Sequence, residues 1–195
     1  MGSIKNYLHR SKLGFIGVYL FSRVLNFLFK LLTNKHSKLP KLLSLKELER
    51  TLEIFVWAPD ILTTSMFKLP HPWMKDAEII QYGLTHTKTQ TDCDEYATYA
   101  SKALERIEGV YESNVLTVRW LRRNGVREGH NVAVYKYRTN NGRFLYGHIG
   151  NWGHFRGYFS IGQVVAHITR LGQGRLVAYA VATPSLKLVH YEKAK

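Results

Sequence analysis

The chain is poor in cysteine and in acid. One Cys among 195 residues rules out an internal disulfide scaffold and any Cys-rich zinc module. Only 14 Asp and Glu stand against 28 Lys and Arg, a formal charge of +14. That excess favours an acidic partner: nucleic acid, an anionic membrane surface or an acidic protein. Also missing are a phosphate-binding glycine loop, an HExxH helix, a His/Cys cluster of zinc spacing, any internal repeat and any low-complexity tract. Nothing in the motifs asks for a cofactor or a metal ion. What remains is 45% hydrophobic and 13% aromatic, which suits a packed globule, and the length suits one domain or one domain with an arm.

The charge is concentrated. Residues 1–50 hold ten Lys and Arg and only two acids, Glu47 and Glu49, so this quarter carries +8. The same quarter is greasy: Leu13–Leu32 reads LGFIGVYLFSRVLNFLFKLL. Its length suits a membrane span. However, Arg23, Asn26 and Lys30 lie inside it, each costly at mid-bilayer. With Tyr19 and Thr33 they recur at three- to four-residue spacing and fall on one helical face. Three readings stand open: an interfacial anchor on an anionic membrane surface through residues 4–33, a helix whose apolar side docks on its own domain or a partner, and a spanning helix. The apolar run Leu13–Phe21 ends in Ser22-Arg23 without a small-x-small site, which argues against a cleaved signal peptide. Gly2 is followed by Asn6 where N-myristoylation wants Ser or Thr. The expected location is cytoplasmic with membrane association.

Residues 34–46 are basic, contain Pro40 and read as a connector, which sets an arm at 1–43 and a domain at 44–195. Ser44 and Glu47 fit a capping box for a helix over about 45–56, ended by Ala58-Pro59-Asp60. Residues 68–75 read as a loop, 76–82 as a short helix stopped by Gly83, and 85–92 as a loop. A helix over about 92–107 keeps the i, i+3, i+4 period through Tyr96, Ala97, Ala100, Ala103, Leu104 and Ile107, and Gly109 closes it. Alternation then predicts strands over 114–121, 130–138, 143–149 and 175–183, with a helix over 160–171 between the last two. Helices first, then an antiparallel sheet with one late helix, is α+β.

Thr91-Asp92-Cys93-Asp94-Glu95 places the sole thiol in the first turn of a helix, where free N–H groups stabilise a thiolate. Asp92 and Asp94 oppose this, so a basic partner is needed. A core cysteine seldom sits between two aspartates, which favours a reactive thiol over a structural one. Gly129-His130-Asn131 opens a strand after the loop 124–128, and a His there can present its ring to the helix N-terminus and take the thiol proton.

Cys-Asp-x-Tyr-Ala at a helix start, Gly-His at a strand start and a hairpin return strand together resemble the transglutaminase-like cysteine enzymes, whose core is papain-like. The resemblance covers about residues 78–155. It implies Cys93 as nucleophile, His130 as its base, peptidase or amidase action on a peptide or protein rather than cross-linking, and a third residue, usually Asp, on the strand after the His strand. The chain departs there: Phe144–Trp152 contains no acid, and Gly147 or His148 stands at that position.

Hairpin geometry offers Asn151 instead. A two-residue Asn141-Gly142 loop would pair Asn140 with Arg143, His130 with Gly153 and Val132 with Asn151, leaving Asn151 on the His130 face and within reach. Asn orients the imidazole in papain-like Cys-His-Asn sites. His148 and the absence of any third member stay as alternatives. The Cys93 N–H and the Gln90 side chain are oxyanion-hole candidates. Trp152 and His154 are candidates for lining a substrate cleft. Arg119, Arg122, Arg123 and Arg127 with Trp120 make a basic patch that reads as a solvated face rather than a nucleic-acid interface. The alternative to an enzyme is a catalytically inactive binding module on the same fold, recruited to a membrane or an acidic partner by its basic helix.

Overall fold

The computed structural model describes residues 11–55, 74–86 and 91–194. Among them are five helices: α1 (Lys12–Leu32), α2 (Leu45–Glu53), α3 (Ala77–His86), α4 (Cys93–Leu104) and α5 (Ile161–Leu171). The strands are β1 (Val110–Arg122), β2 (Arg127–Arg138), β3 (Phe144–Gly150), β4 (Gly153–Tyr158), β5 (Gly174–Ala182) and β6 (Leu188–Lys193). They form one antiparallel sheet in the order β4-β3-β2-β1-β5-β6, so the fold is α+β. The short edge strands β4 and β6 are absent from the sequence reading. Gly153 and Gly157 sit at positive φ in β4, and β6 buries none of its residues, so neither carries an alternating signal.

Alternation along the central strands sorts the core into two layers. Ala133, Tyr135 and Ile149 face α2, α3 and α4, packing on Leu48, Leu52, Ile80, Tyr99, Ala100 and Leu104. Leu116, Val118, Trp120, Val132 and Val134 face the other way, onto Val164, Val165 and Ile168 of α5. Small residues make room at chosen points. Gly172 and Gly174 both lie against the buried Trp120 indole; an added Cβ on Gly172 would stand 2.5 Å from ring atoms, and one on Gly174 closer still. A Cβ on Gly147 would stand 2.6 Å from the Tyr135 ring.

Helix starts follow their caps. Ser44 accepts from the Glu47 N–H at 3.2 Å, while Glu47 reaches back to the Leu43 N–H at 2.6 Å. Asp92 and Glu95 complete a full capping box on α4, and Ser160 caps α5. Gly83 does not stop α3, which runs on to His86 with Gly83 buried. The expected terminator at 58–60 lies outside the described residues.

α1 forms where expected but is turned around. Its buried side is Phe15, Tyr19, Ser22 and Asn26, the side that carries the polar stripe. Phe15 and Tyr19 join a small core with Met74, Val115, Ala178 and Ala180. The helix is therefore not a free arm; it docks, and not through its apolar side. The basic patch also dissolves. Arg119 is buried with its guanidinium 3.8 Å from the Phe15 ring centre, Trp120 is buried on the opposite face, and Arg122 pairs with Glu128 at 2.7 Å.

Candidate active site

Cys93 occupies the first helical position of α4 and is half-buried. Asp92, the N-cap, accepts from the N–H groups of Asp94 and Glu95, at 2.8 and 3.3 Å. The cap therefore leaves the Cys93 N–H to other partners, as an oxyanion donor requires. Gln90 lies outside the described residues. The sulfur donates to the Asp94 carboxylate at 3.5 Å and accepts from the Asn131 backbone N–H. Asn131 is paired with Thr117 of β1 and lies beyond the last β2–β3 pair, Ala133 with Ile149.

The thiol is held well above its ordinary pKa. Burial is the largest cause, followed by the negative charges of Asp94 and Asp92; the Asn131 N–H works in the other direction. At neutral pH the sulfur is a thiol.

The β2–β3 register corrects the hairpin reading. Thr139 N–H donates to the Arg143 carbonyl at 2.8 Å, Gly142 N–H donates to the Thr139 carbonyl at 2.9 Å, and Gly142 has φ of +82°. The loop is thus three residues, Asn140-Asn141-Gly142, with the glycine in the left-handed position such loops require. Arg138 pairs with Phe144 and Ala133 with Ile149. Continued past Val132 and Gly150, this register sets Asn151 opposite Asn131 and Trp152 opposite His130, one residue away from the expected pairing. The Trp152 indole does stack on the His130 ring, centres 3.7 Å apart and planes 10° apart.

β2 alternation places His130 with Val132 and Val134, on the α5 side, and Asn131 with Ala133 and Tyr135, on the α4 side. No Cys93–His130 hydrogen bond is made. The His130 ring is buried, its Nε2 has no hydrogen-bond partner, and burial lowers its pKa to about 4. Asn151 Oδ1 is likewise buried without a partner. His148 shares the His130 face, against Phe155, Tyr158 and His167; both its ring nitrogens lack partners and burial lowers its pKa to about 3.

His154 lies apart from Cys93 in its bonding. It bridges the Glu49 carboxylate and the Tyr135 hydroxyl, with Arg156 Nε donating to its Nε2 at 3.0 Å. It ties α2 to the sheet. Trp152 is partly exposed beside His130 and remains available to a ligand.

Three residues to which the sequence reading gave no part in the site are linked to the helix start that carries the thiol. Asn131 donates from Nδ2 to Asp94, Thr117 donates to Asn131 Oδ1, and the Tyr19 hydroxyl donates to Thr117 at 2.8 Å. A continuous hydrogen-bonded chain thus runs from α1 to the residue after Cys93. The available signal was Thr117 and Asn131 at inward positions of otherwise apolar strands. Asp92, Cys93 and Asp94 bring ligand atoms within 4.8 Å of one another. Asp92 is committed to the cap and Asp94 to Asn131, so the group reads as a hydrogen-bonded helix start rather than a cation site.

Compared with protein-family models, curated proteins and solved structures, the chain matches none.

Proposed function

We propose that the chain is a thiol-dependent hydrolase or acyltransferase acting on amide or peptide bonds, with a transglutaminase-like core and Cys93 as nucleophile. The observation that carries this reading is the sulfur at a capped helix start accepting from the backbone N–H of Asn131, the neighbour of His130. A backbone N–H aimed at sulfur stabilises developing thiolate. His130 is the base. Burial keeps its imidazole neutral but also lowers its basicity to about 4, so with the thiol raised the transfer requires substrate binding to change the surroundings of both groups.

In the reaction the Cys93 proton passes to His130 as sulfur bonds to the substrate carbonyl carbon. Collapse of the tetrahedral adduct breaks the C–N bond, and His130 returns the proton to the departing amine. Water, or a second amine, then cleaves the thioester. The Cys93 N–H faces the developing oxyanion. Because His130 lies on the α5 side of β2 and Cys93 on the α4 side, the reaction requires the start of β2 to turn the His130 ring toward α4 when substrate binds.

One observation favours the inactive binding module: burial and two aspartates hold the thiol protonated. A peptidyl acyloxymethyl ketone panel separates the two whatever the substrate. Such reagents need a base-activated thiol. Stoichiometric acylmethylation of Cys93 that disappears in His130→Ala supports the enzyme. Equal slow labelling of both proteins by every member of the panel assigns the chain to the binding module.

A further inference from the structure

α1 is mounted with its polar side inward. Tyr19 bonds Thr117, Ser22 accepts from the Met74 N–H at 2.9 Å, and Asn26 bonds the Met74 carbonyl and the Asp76 N–H at 3.0 and 3.2 Å. Lys30 pairs with Asp76 at 2.5 Å and with Glu78 at 2.6 Å. These ties follow one stripe along most of the helix. The opposite side, about 160° of the helical circumference at 100° per residue, carries Leu13, Ile16, Leu20, Phe21, Val24, Phe27, Leu28, Leu31 and Leu32, all exposed. Leu13 is 61% exposed, Phe27 66%, Leu31 68% and Leu32 77%. A soluble helix normally presents the reverse arrangement.

We propose that α1 is an in-plane anchor: its outer face lies in the surface of an anionic lipid bilayer, with the domain held against that surface. Three observations select this occupant. Among the described residues the face consists of aliphatic and Phe side chains, with no polar side chain between them to specify a shaped partner. The exposed cations Lys12 and Arg23 border it, and exposed Lys35, Lys38 and Lys41 follow in the connector. No acid occurs before Glu47, so the helix and its connector offer anionic headgroups only cations. The geometry also rejects the spanning alternative, although the helix is long and apolar enough to cross by length and composition. A span would have to carry Thr117, Asp76, Glu78 and the sheet behind them into hydrocarbon, or break every tie on the docked stripe. Lying flat leaves those ties intact and sinks only the apolar face. This inference stands independently of whether Cys93 is a nucleophile.

The test uses the full chain and sealed vesicles of phosphatidylcholine, with and without phosphatidylglycerol. Flotation with the anionic vesicles is expected to exceed that with neutral ones by about tenfold or more at low salt, the preference shrinking as salt is raised. Phe27→Asp with Leu31→Asp should abolish flotation. Both positions point away from the domain, so the circular dichroism spectrum should be unchanged. Ser11→Cys and Asn34→Cys, each made in Cys93→Ala, should both react with an impermeant maleimide added outside the vesicles. Labelling at one end alone would mean a spanning helix and overturn the proposal. Failure to float, accompanied by a dimer that Phe27→Asp dissociates, would assign the face to a second copy of the chain. Failure to float as a monomer would overturn it outright.

Discussion

Cys93 is set by its immediate electrostatics. Burial and the paired aspartates keep the proton on sulfur, so plain alkylation should be slow at neutral pH. The rate should climb only above the ordinary thiol value of about 8.5. Iodoacetamide rates against pH, read by mass on a chain with one cysteine, check this directly, and a midpoint below about 8 would contradict it. Asp94→Asn should bring the midpoint down, since it removes the nearer negative charge while keeping a hydrogen-bond partner for Asn131. Elsewhere, two glycines test close packing in the core. Gly174→Ala would drive its Cβ into Trp120 Cδ1, with no room for the fully buried indole to move. A loss of about 1–3 kcal/mol in urea unfolding is expected, as for other overpacked cores. Gly162→Ala, in α5 with only the Ser160 hydroxyl at 3.7 Å, should be neutral or slightly stabilising.

At the scale of elements, α4 depends on its start. Asp92 takes two backbone N–H groups and returns a third to Glu95, so Asp92→Ala should cost about 1–2 kcal/mol. The same change removes a charge beside the thiol, so lower stability with faster alkylation is the expected pair of results. α1 depends on the opposite kind of contact. Asn26→Leu makes the helix more apolar yet leaves the Met74 carbonyl and the Asp76 N–H unpaired. Loosening by about 2 kcal/mol is expected, seen as faster amide exchange over residues 15–30 while α4 stays protected. If greater apolarity tightened the helix instead, its docking would be hydrophobic after all.

For the whole molecule, buried histidines tie stability to pH. His130 and His148 are lowered to about 4 and about 3, chiefly by burial. Above the unfolded value of about 6.5 both states are neutral and nothing is lost. Between that value and the folded ones the unfolded chain binds protons that the folded chain refuses, so stability falls as pH falls. Each group contributes about 1.4 kcal/mol per pH unit over that window. Glu95, raised by burial, works the other way near the acid end. Urea midpoints should therefore drop between about pH 7 and about pH 5, and His148→Phe should flatten the slope. A midpoint independent of pH over that range would mean the rings are solvated.

Local signals determined the elements. The period of Ala97, Ala100, Leu104 and Ile107, the cap at Ser44, and the alternation of β1, β2 and β5 are properties of neighbouring residues, and they read directly. The position of Cys93 at a helix start and the polar stripe on α1 were legible for the same reason. Which residues meet was settled in three dimensions. One residue in the Asn140–Gly142 loop shifted the β2–β3 register and moved Asn151 to the other face, because a sheet repeats every two residues. The edge strands β4 and β6 exist through pairing with β3 and β5 rather than through their own pattern. And α1 turned its greasy side outward, because Thr117, Met74 and Asp76, distant in sequence, supply partners that its polar stripe could find only in the folded domain.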